Sequence, residues 1–168
     1  MERSSVNFEI SMPVSEHEFR HALSRFASGV TVATTLDADG QPHGLTVSAF
    51  CSVSLSPPLV LICIERSAPS HDAFADRGAF VVNILHETQA DISQQFATPA
   101  VDKFDAIPSR PGIEGIPVLA NSLATLECRL RYRHEGGDHS IFVGEVENIN
   151  VDDGVPLIYF KGQYNGLK

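Results

Sequence analysis

The chain has no tryptophan, two methionines and three cysteines among its 168 residues. The cysteines, Cys51, Cys63 and Cys128, are scattered through apolar stretches and form no C-x-x-C pair. Such a set argues against a disulfide framework or a zinc ribbon. It reads as reduced, buried core thiols of a cytoplasmic protein. Positive charge is scarce as well: 12 Lys and Arg face 21 Asp and Glu, a formal net charge of −9. Non-specific nucleic-acid binding needs basic patches to neutralise phosphates, so no nucleic-acid partner is expected. No apolar run reaches membrane-spanning length, and no charged-apolar-small leader is present. Neither a transmembrane helix nor a signal peptide is expected, and no membrane partner. A Gly-rich strand-to-helix fingerprint, a P-loop and a G-x-S-x-G elbow are all missing. Their absence argues against a Rossmann dinucleotide site and its relatives.

What is present fits one domain of ordinary size, long enough to bury a core without staples. Residues 1–14 are mixed and patternless and read as a loose N-terminal arm; residues 15–168 read as a single domain. Ser15 and Glu18 form a capping box that opens a helix. Phe19, Ala22, Leu23 and Phe26 fall on one face of it, and Gly29 is expected to stop it in a left-handed cap. His17-Glu18-Phe19-Arg20-His21 matches the H-E-x-x-H zinc pattern. However, the two histidines lie nearly opposite Phe19 and Phe26, facing solvent, and the cap already explains Glu18. No metal site is assigned.

The rest of the chain is mostly strands. Val30–Leu36, the turn Asp37-Ala38-Asp39-Gly40 and the return through Pro42 form a hairpin. Leu59–Ile64 is a continuous apolar strand, expected to be buried on both faces. Ser70–Asp76 and Glu87–Ala97 read as short helices, and Ala79–Leu85 as another strand. Thr98–Pro117, rich in Pro and Gly, has no clear period and reads as a long covering loop. From Ala124 to Arg133 apolar and charged residues alternate, which gives a half-buried strand with a charged outer face. Gly136-Gly137-Asp138-His139 turns it into Ser140–Asn150, where Gly144 marks a bulge or close approach. Strands arriving as hairpins favour a mainly β fold: a closed antiparallel barrel with Greek-key elements and peripheral helices.

The least ordinary stretch is Gly44 to Pro58. It is nearly uncharged, and Phe50, Ser52, Ser54 and Ser56 alternate with Cys51, Val53 and Leu55. A face of short hydroxyls can lie against something flat and polar-edged. On this stretch alone the plainer reading, a Ser-rich edge strand with loops, is the favoured one. The loop Glu65–Ser70 offers amides and Arg66 to a phosphate, or is simply a helix cap. Lys103-Phe104-Asp105 can meet a ligand or be a solvated loop.

Several segments in order resemble one family. They are Phe19–Leu23 with Phe26–Val32, Gly44–Phe50, Ser52-Val53-Ser54, Pro57-Pro58, Val82–Leu85, Gly137–Ser140 leading into Gly144–Val146, and Leu157–Phe160. Together they resemble the short flavin reductases that serve two-component flavin monooxygenases, such as those paired with phenol and 4-hydroxyphenylacetate hydroxylases. The resemblance implies an FMN-binding split barrel, a homodimer, and reduction of FMN or FAD by NADH, with NADPH the second choice. It implies reduced flavin handed to a partner monooxygenase. The family's flavin segment falls on Thr46, Val47, Ser48, Ala49 and Phe50, followed by Ser52 and Val53. Its phosphate loop falls on Ser67, Ala68 and Pro69. Members often carry a lysine there, so Arg66 or Lys103 is the alternative phosphate partner, and Phe104 a further flavin contact. The Gly-Asp-His turn implies nicotinamide binding at His139, which alone would be an exposed turn histidine. Lys161, Gly162 and Tyr164 would complete that site.

Hydride transfer from nicotinamide to flavin needs two flat rings held face to face rather than a strong base, which suits the lack of an acid–base constellation. The rival readings are an electron-transfer protein that holds its flavin tightly, a zinc hydrolase on the His17–His21 helix, and a non-catalytic split barrel.

Overall fold

The computed structural model describes residues 13–99 and 102–167. Most of the 1–14 arm therefore lies outside the described residues. In chain order the elements are α1 (Glu16–Leu23), β1 (Ser28–Gly29), β2 (Thr31–Leu36), β3 (Pro42–Val47), β4 (Phe50–Leu55) and β5 (Pro58–Glu65). Then come α2 (His71–Arg77), β6 (Ala79–Ile84), α3 (Ala90–Ala97), β7 (Ser109–Pro111) and β8 (Pro117–Leu119). The last are β9 (Ala124–Gly136), β10 (His139–Val151), β11 (Ile158–Phe160) and β12 (Gln163–Asn165).

Seven strands form one antiparallel sheet in the order β3-β2-β6-β9-β10-β5-β4. β3 and β4 are its opposite edges, yet only Ser48 and Ala49 separate them in the chain. A two-residue link can join opposite edges only if the sheet is rolled, and the roll makes the barrel. The link itself, the seam of the barrel, is held to β5, where the Ala49 carbonyl accepts the Cys63 N–H at 3.1 Å and continues the β4–β5 ladder. This is the closed antiparallel barrel that the hairpin pattern predicts, of the split type that the family resemblance implies, and closure leaves few strand edges open. Inside it Ala33, Val47, Val60, Ile62, Ile64, Phe74, Phe80, Val82, Cys128 and Phe142 pack as one cluster. A second cluster, built on Val30, Val32, Leu85, Phe96, Leu119 and Leu157, lies under α3.

β2 is buried on both faces although half of it is threonine. Its hydroxyls donate to carbonyls: Thr31 to Val47, Thr34 to Pro117 and Thr35 to Ala79, at 2.6–2.9 Å. Burial without such partners would be costly. Gly144 sits at a register shift, and a Cβ there would stand 2.6 Å from the Phe80 ring.

Five sequence expectations need correction. Gly29 does not stop α1: the helix ends at Leu23 with Ser24 as its right-handed cap, and Gly29 pairs with Ile158 in β1. The cysteines are not all core residues, since Cys51 is exposed and Cys63 half-buried. β5 fully buries one face only (Val60, Ile62, Ile64); the described residues leave Leu61 and Cys63 half-buried. The alternation in β4 is broken by a register shift between Ser52 and Ser54. Glu127, assigned to an outer charged face, is buried. The stretch expected to be patternless folds over it as β7, a 3-10 turn (Ile113–Gly115) and β8, and Glu127 accepts the Ile113 N–H at 2.6 Å.

Candidate functional site

α1 is amphipathic as the sequence predicts, with the Ser15–Glu18 capping box formed, but it buries no residue. Phe19, Leu23 and Phe26 remain 57%, 56% and 77% exposed. They wall one side of a cavity of about 770 Å³. The seam residues Ser48, Ala49 and Phe50 form another side, with Cys51, Leu61 and Cys63 as the floor and Tyr159 and Gly162 at the end. Among the described residues Arg20 is its one charged lining residue. The slot thus has apolar walls, a small hydroxyl at Ser48, and the backbone of the barrel seam. On the far side of α1 His17 and His21 stack at 6.3 Å, and the Glu18 carboxylate is held by the Ser15 N–H and hydroxyl at 3.0 and 2.6 Å.

The slot floor leads to His139. In the β5–β10 ladder Cys63 pairs with Ile141, and Glu65 with His139. Residues two apart share a face and stand about 7 Å apart, so His139 is one pleat beyond Cys63 on the slot side. Its Nδ1 meets the Asp138 carboxylate at 2.7 Å, and this hydrogen bond is the chief cause holding Asp138 below its ordinary pKa. The loop Ser67-Ala68-Pro69 follows β5 directly, and the Arg66 N–H donates to the Asp138 carbonyl at 2.9 Å. Loop and histidine turn are therefore neighbours.

The remaining sequence candidates divide. Pro69, Lys103 and Phe104 line a second cavity of about 580 Å³ with Asp37, His43, Asp102 and Asp105. The Lys103 ammonium donates to the Gly44 and Phe96 carbonyls at 3.2 and 3.0 Å, and burial pushes its pKa down. Phe104 packs edge-on against Phe96 at 5.0 Å. The Thr46 hydroxyl donates to the Ser93 carbonyl at 2.6 Å, and the Ser93 and Tyr164 hydroxyls meet at 2.8 Å. Val47 is in the barrel core. Ser52 and Val53 are exposed farther along β4, outside the slot lining. Lys161 N–H donates to the Ser24 carbonyl at 3.0 Å, which docks the last hairpin on the end of α1.

The match to known proteins covers nearly all of this architecture: the model of the flavin reductase like domain matches residues 23–168. The chain belongs to the flavin reductase-like family. A reductase component of a 4-nitrophenol 4-monooxygenase/4-nitrocatechol 2-monooxygenase from Rhodococcus opacus is 41% identical over 155 residues, covering 92% of this chain and 83% of that protein. The solved Streptomyces globisporus NADH:FAD oxidoreductase, in complex with NAD and FAD fragments, has a TM-score of 0.88 at 35% identity and covers 95% of this chain and 97% of its own. A Rhizobium meliloti relative is 41% identical over 145 residues, and the chain spans only 47% of that protein's length.

The residues fit a flavin as this family uses it. A flat ring with one polar edge suits a slot with aromatic and aliphatic walls on one side and the seam backbone with Ser48 on the other. The large apolar side chains left open on α1 (Phe19, Leu23) and on the turn after it (Phe26) are what a covering ring would desolvate. For a phosphate, Lys103 is already committed to two carbonyls, whereas among the described residues the Arg66 guanidinium pairs with the exposed Glu135 alone, at 3.5 Å. Arg66 is therefore the cation beside the loop that can turn to an anion. Ser93 and His71, which sequence reasoning passed over, brace this site; neither lies in a motif, and a lone serine or histidine in a short helix carries no periodic signal.

Proposed function

We propose that this chain is an NADH-dependent flavin reductase that supplies reduced FAD or FMN to a partner monooxygenase. One hydride, two electrons with one proton, leaves the nicotinamide for the flavin ring, and solvent supplies the second proton. The carrying observation is the shared face of the slot and His139: the seam residues Ser48, Ala49 and Phe50 and the histidine turn are joined by one strand, β5. Ser48 to Phe50 hold the flavin ring, Ser67 to Pro69 with Arg66 hold its phosphate, and Lys103 and Phe104 support the rim. Thr46 and Val47 act through the fold, and Ser52 and Val53 flank the segment. His139, with Lys161, Gly162 and Tyr164 at the closing hairpin, positions the nicotinamide. Bound flavin supplies the hydride acceptor; the chain's own groups orient the rings and exclude water.

Residues 15–168 act as one unit, a homodimer in the cytoplasm. Among the described residues no helix is long and apolar enough to cross a membrane. The test is NADH oxidation by flavin-stripped protein with and without added FAD or FMN. A rate that rises and saturates with flavin supports the reading and names the preferred flavin. No oxidation with either flavin, nor with NADPH, overturns it in favour of a protein that holds flavin for electron relay.

A further inference from the structure

His71 opens α2, yet its ring is turned inward and the residue is only 4% exposed. Both ring nitrogens have partners: Nδ1 the Asp72 carboxylate at 3.0 Å, Nε2 the Ser140 hydroxyl at 2.9 Å. The ring stands edge-on to Phe142 at 5.7 Å. Either ring nitrogen can donate or accept, and the two contacts leave neither of them bare in the apolar interior. Ser140 is buried and follows His139 directly; Asp138 precedes it.

Both chain neighbours of His139 are therefore tied to one segment. Asp138 accepts the Arg66 N–H, and Ser140 meets the His71 ring. Between those two ties lies Ser67-Ala68-Pro69, folded back on itself by the His71 N–H donating to the Ala68 carbonyl at 2.9 Å. A bare ladder pair would fix the backbone of a turn residue but leave its approach angle soft. Two ties, one on either side, fix the direction from which His139 leaves the strand.

We propose that His71 and Ser140 are positioning residues that set His139 for the nicotinamide and couple it to the loop that holds the flavin phosphate. This rests on the flavin reductase reading. An unpartnered histidine inside a barrel would be costly, so the pair is a built contact rather than filler. Phosphate bound in the loop stiffens both ties, and the nicotinamide then meets a histidine already aimed. A structural strut alone would serve stability and leave the kinetics of NADH untouched.

The experiment is steady-state kinetics on wild type, His139→Ala, Ser140→Ala, His71→Phe and the double variants, with the preferred flavin saturating. Ser140→Ala is expected to raise the KM for NADH by about three- to tenfold, the size of one lost hydrogen bond, with kcat and flavin affinity within about twofold. In the His139→Ala background the same change is expected to have no further effect, because the group it aims is gone. Combining His71→Phe with Ser140→Ala is expected to be no worse than either alone. Equal factors with and without His139, or losses that appear in flavin affinity instead, overturn the proposal while the reductase reading stands. A wild type that oxidises no NADH with any flavin overturns both. If His71→Phe does not fold, the Ser140–His139 cycle decides alone.

Discussion

Cys51, Cys63 and Cys128 stand at three depths of one sheet. Burial is the chief cause that lifts the Cys128 thiol to about 12, with the Glu127 and Glu147 charges adding to it, and burial also raises Cys63. The thiolate is the reactive form, so depth and charge set an order of reactivity. A thiol reagent at neutral pH is expected to label Cys51 first and Cys63 slowly, with Cys128 reacting only on unfolding. Saturating flavin is expected to slow the first two, which line the slot. Peptide mass analysis over time checks this; early labelling of Cys128, or no protection by flavin, would contradict it. The sequence gives no sign of this order: Cys128, the deepest, stands between Glu127 and Arg129, while half-buried Cys63 stands between two isoleucines. Lys103 teaches the same lesson. Its type and position suggest a phosphate ligand, but only the fold brings it to the Gly44 and Phe96 carbonyls.

At the scale of elements, the hairpins were legible because turn chemistry is local. Asp37 holds the β2–β3 turn by accepting the Asp39 and Gln41 N–H groups, and Gly40 supplies the positive φ. The capping box of α1 was legible for the same reason. Not legible was what the apolar face of α1 meets, since periodicity marks a face and says nothing of its partner. Nor could composition show that the Pro- and Gly-rich stretch folds into a flap over Glu127. Close approach between elements is likewise a tertiary fact. Where β3 passes α3, a Cβ on Gly44 would stand 2.6 Å from the Phe96 ring and 3.2 Å from Phe104. Gly44→Ala is expected to destabilise the protein by about 1–3 kcal/mol, as overpacking does. It should also loosen the Thr46–Ser93–Tyr164 contacts that α3 makes. Urea unfolding measures the first effect; a stability within error of wild type would mean that α3 shifts freely.

At the scale of the whole molecule, the barrel hides its own core and yet leaves large apolar side chains in water. Besides the α1 face, Val53, Leu55, Ile149 and Val151 are exposed, Leu55 almost fully. Scattered apolar residues are ordinary on a surface, but a set on β4 and β10, which flank β5 in the sheet, is suited to a second copy of the chain. Light scattering after gel filtration is expected to give twice the chain mass of 18.2 kDa. Leu55→Asp with Val151→Asp is expected to shift this to the monomer with an unchanged far-UV CD spectrum, because neither side chain packs in the core. A wild type that elutes as a monomer at micromolar concentration would rule the dimer out.

The seam at Ser48 and Ala49 has a wider meaning. In most barrels the ligand enters a mouth and the wall is indifferent to it. Here the wall is completed by the same two residues that line the slot, so β4 can come away from β5 only by dismantling the site. Whatever fills the slot bridges that joint, so parting β4 from β5 there and losing the ligand are one event.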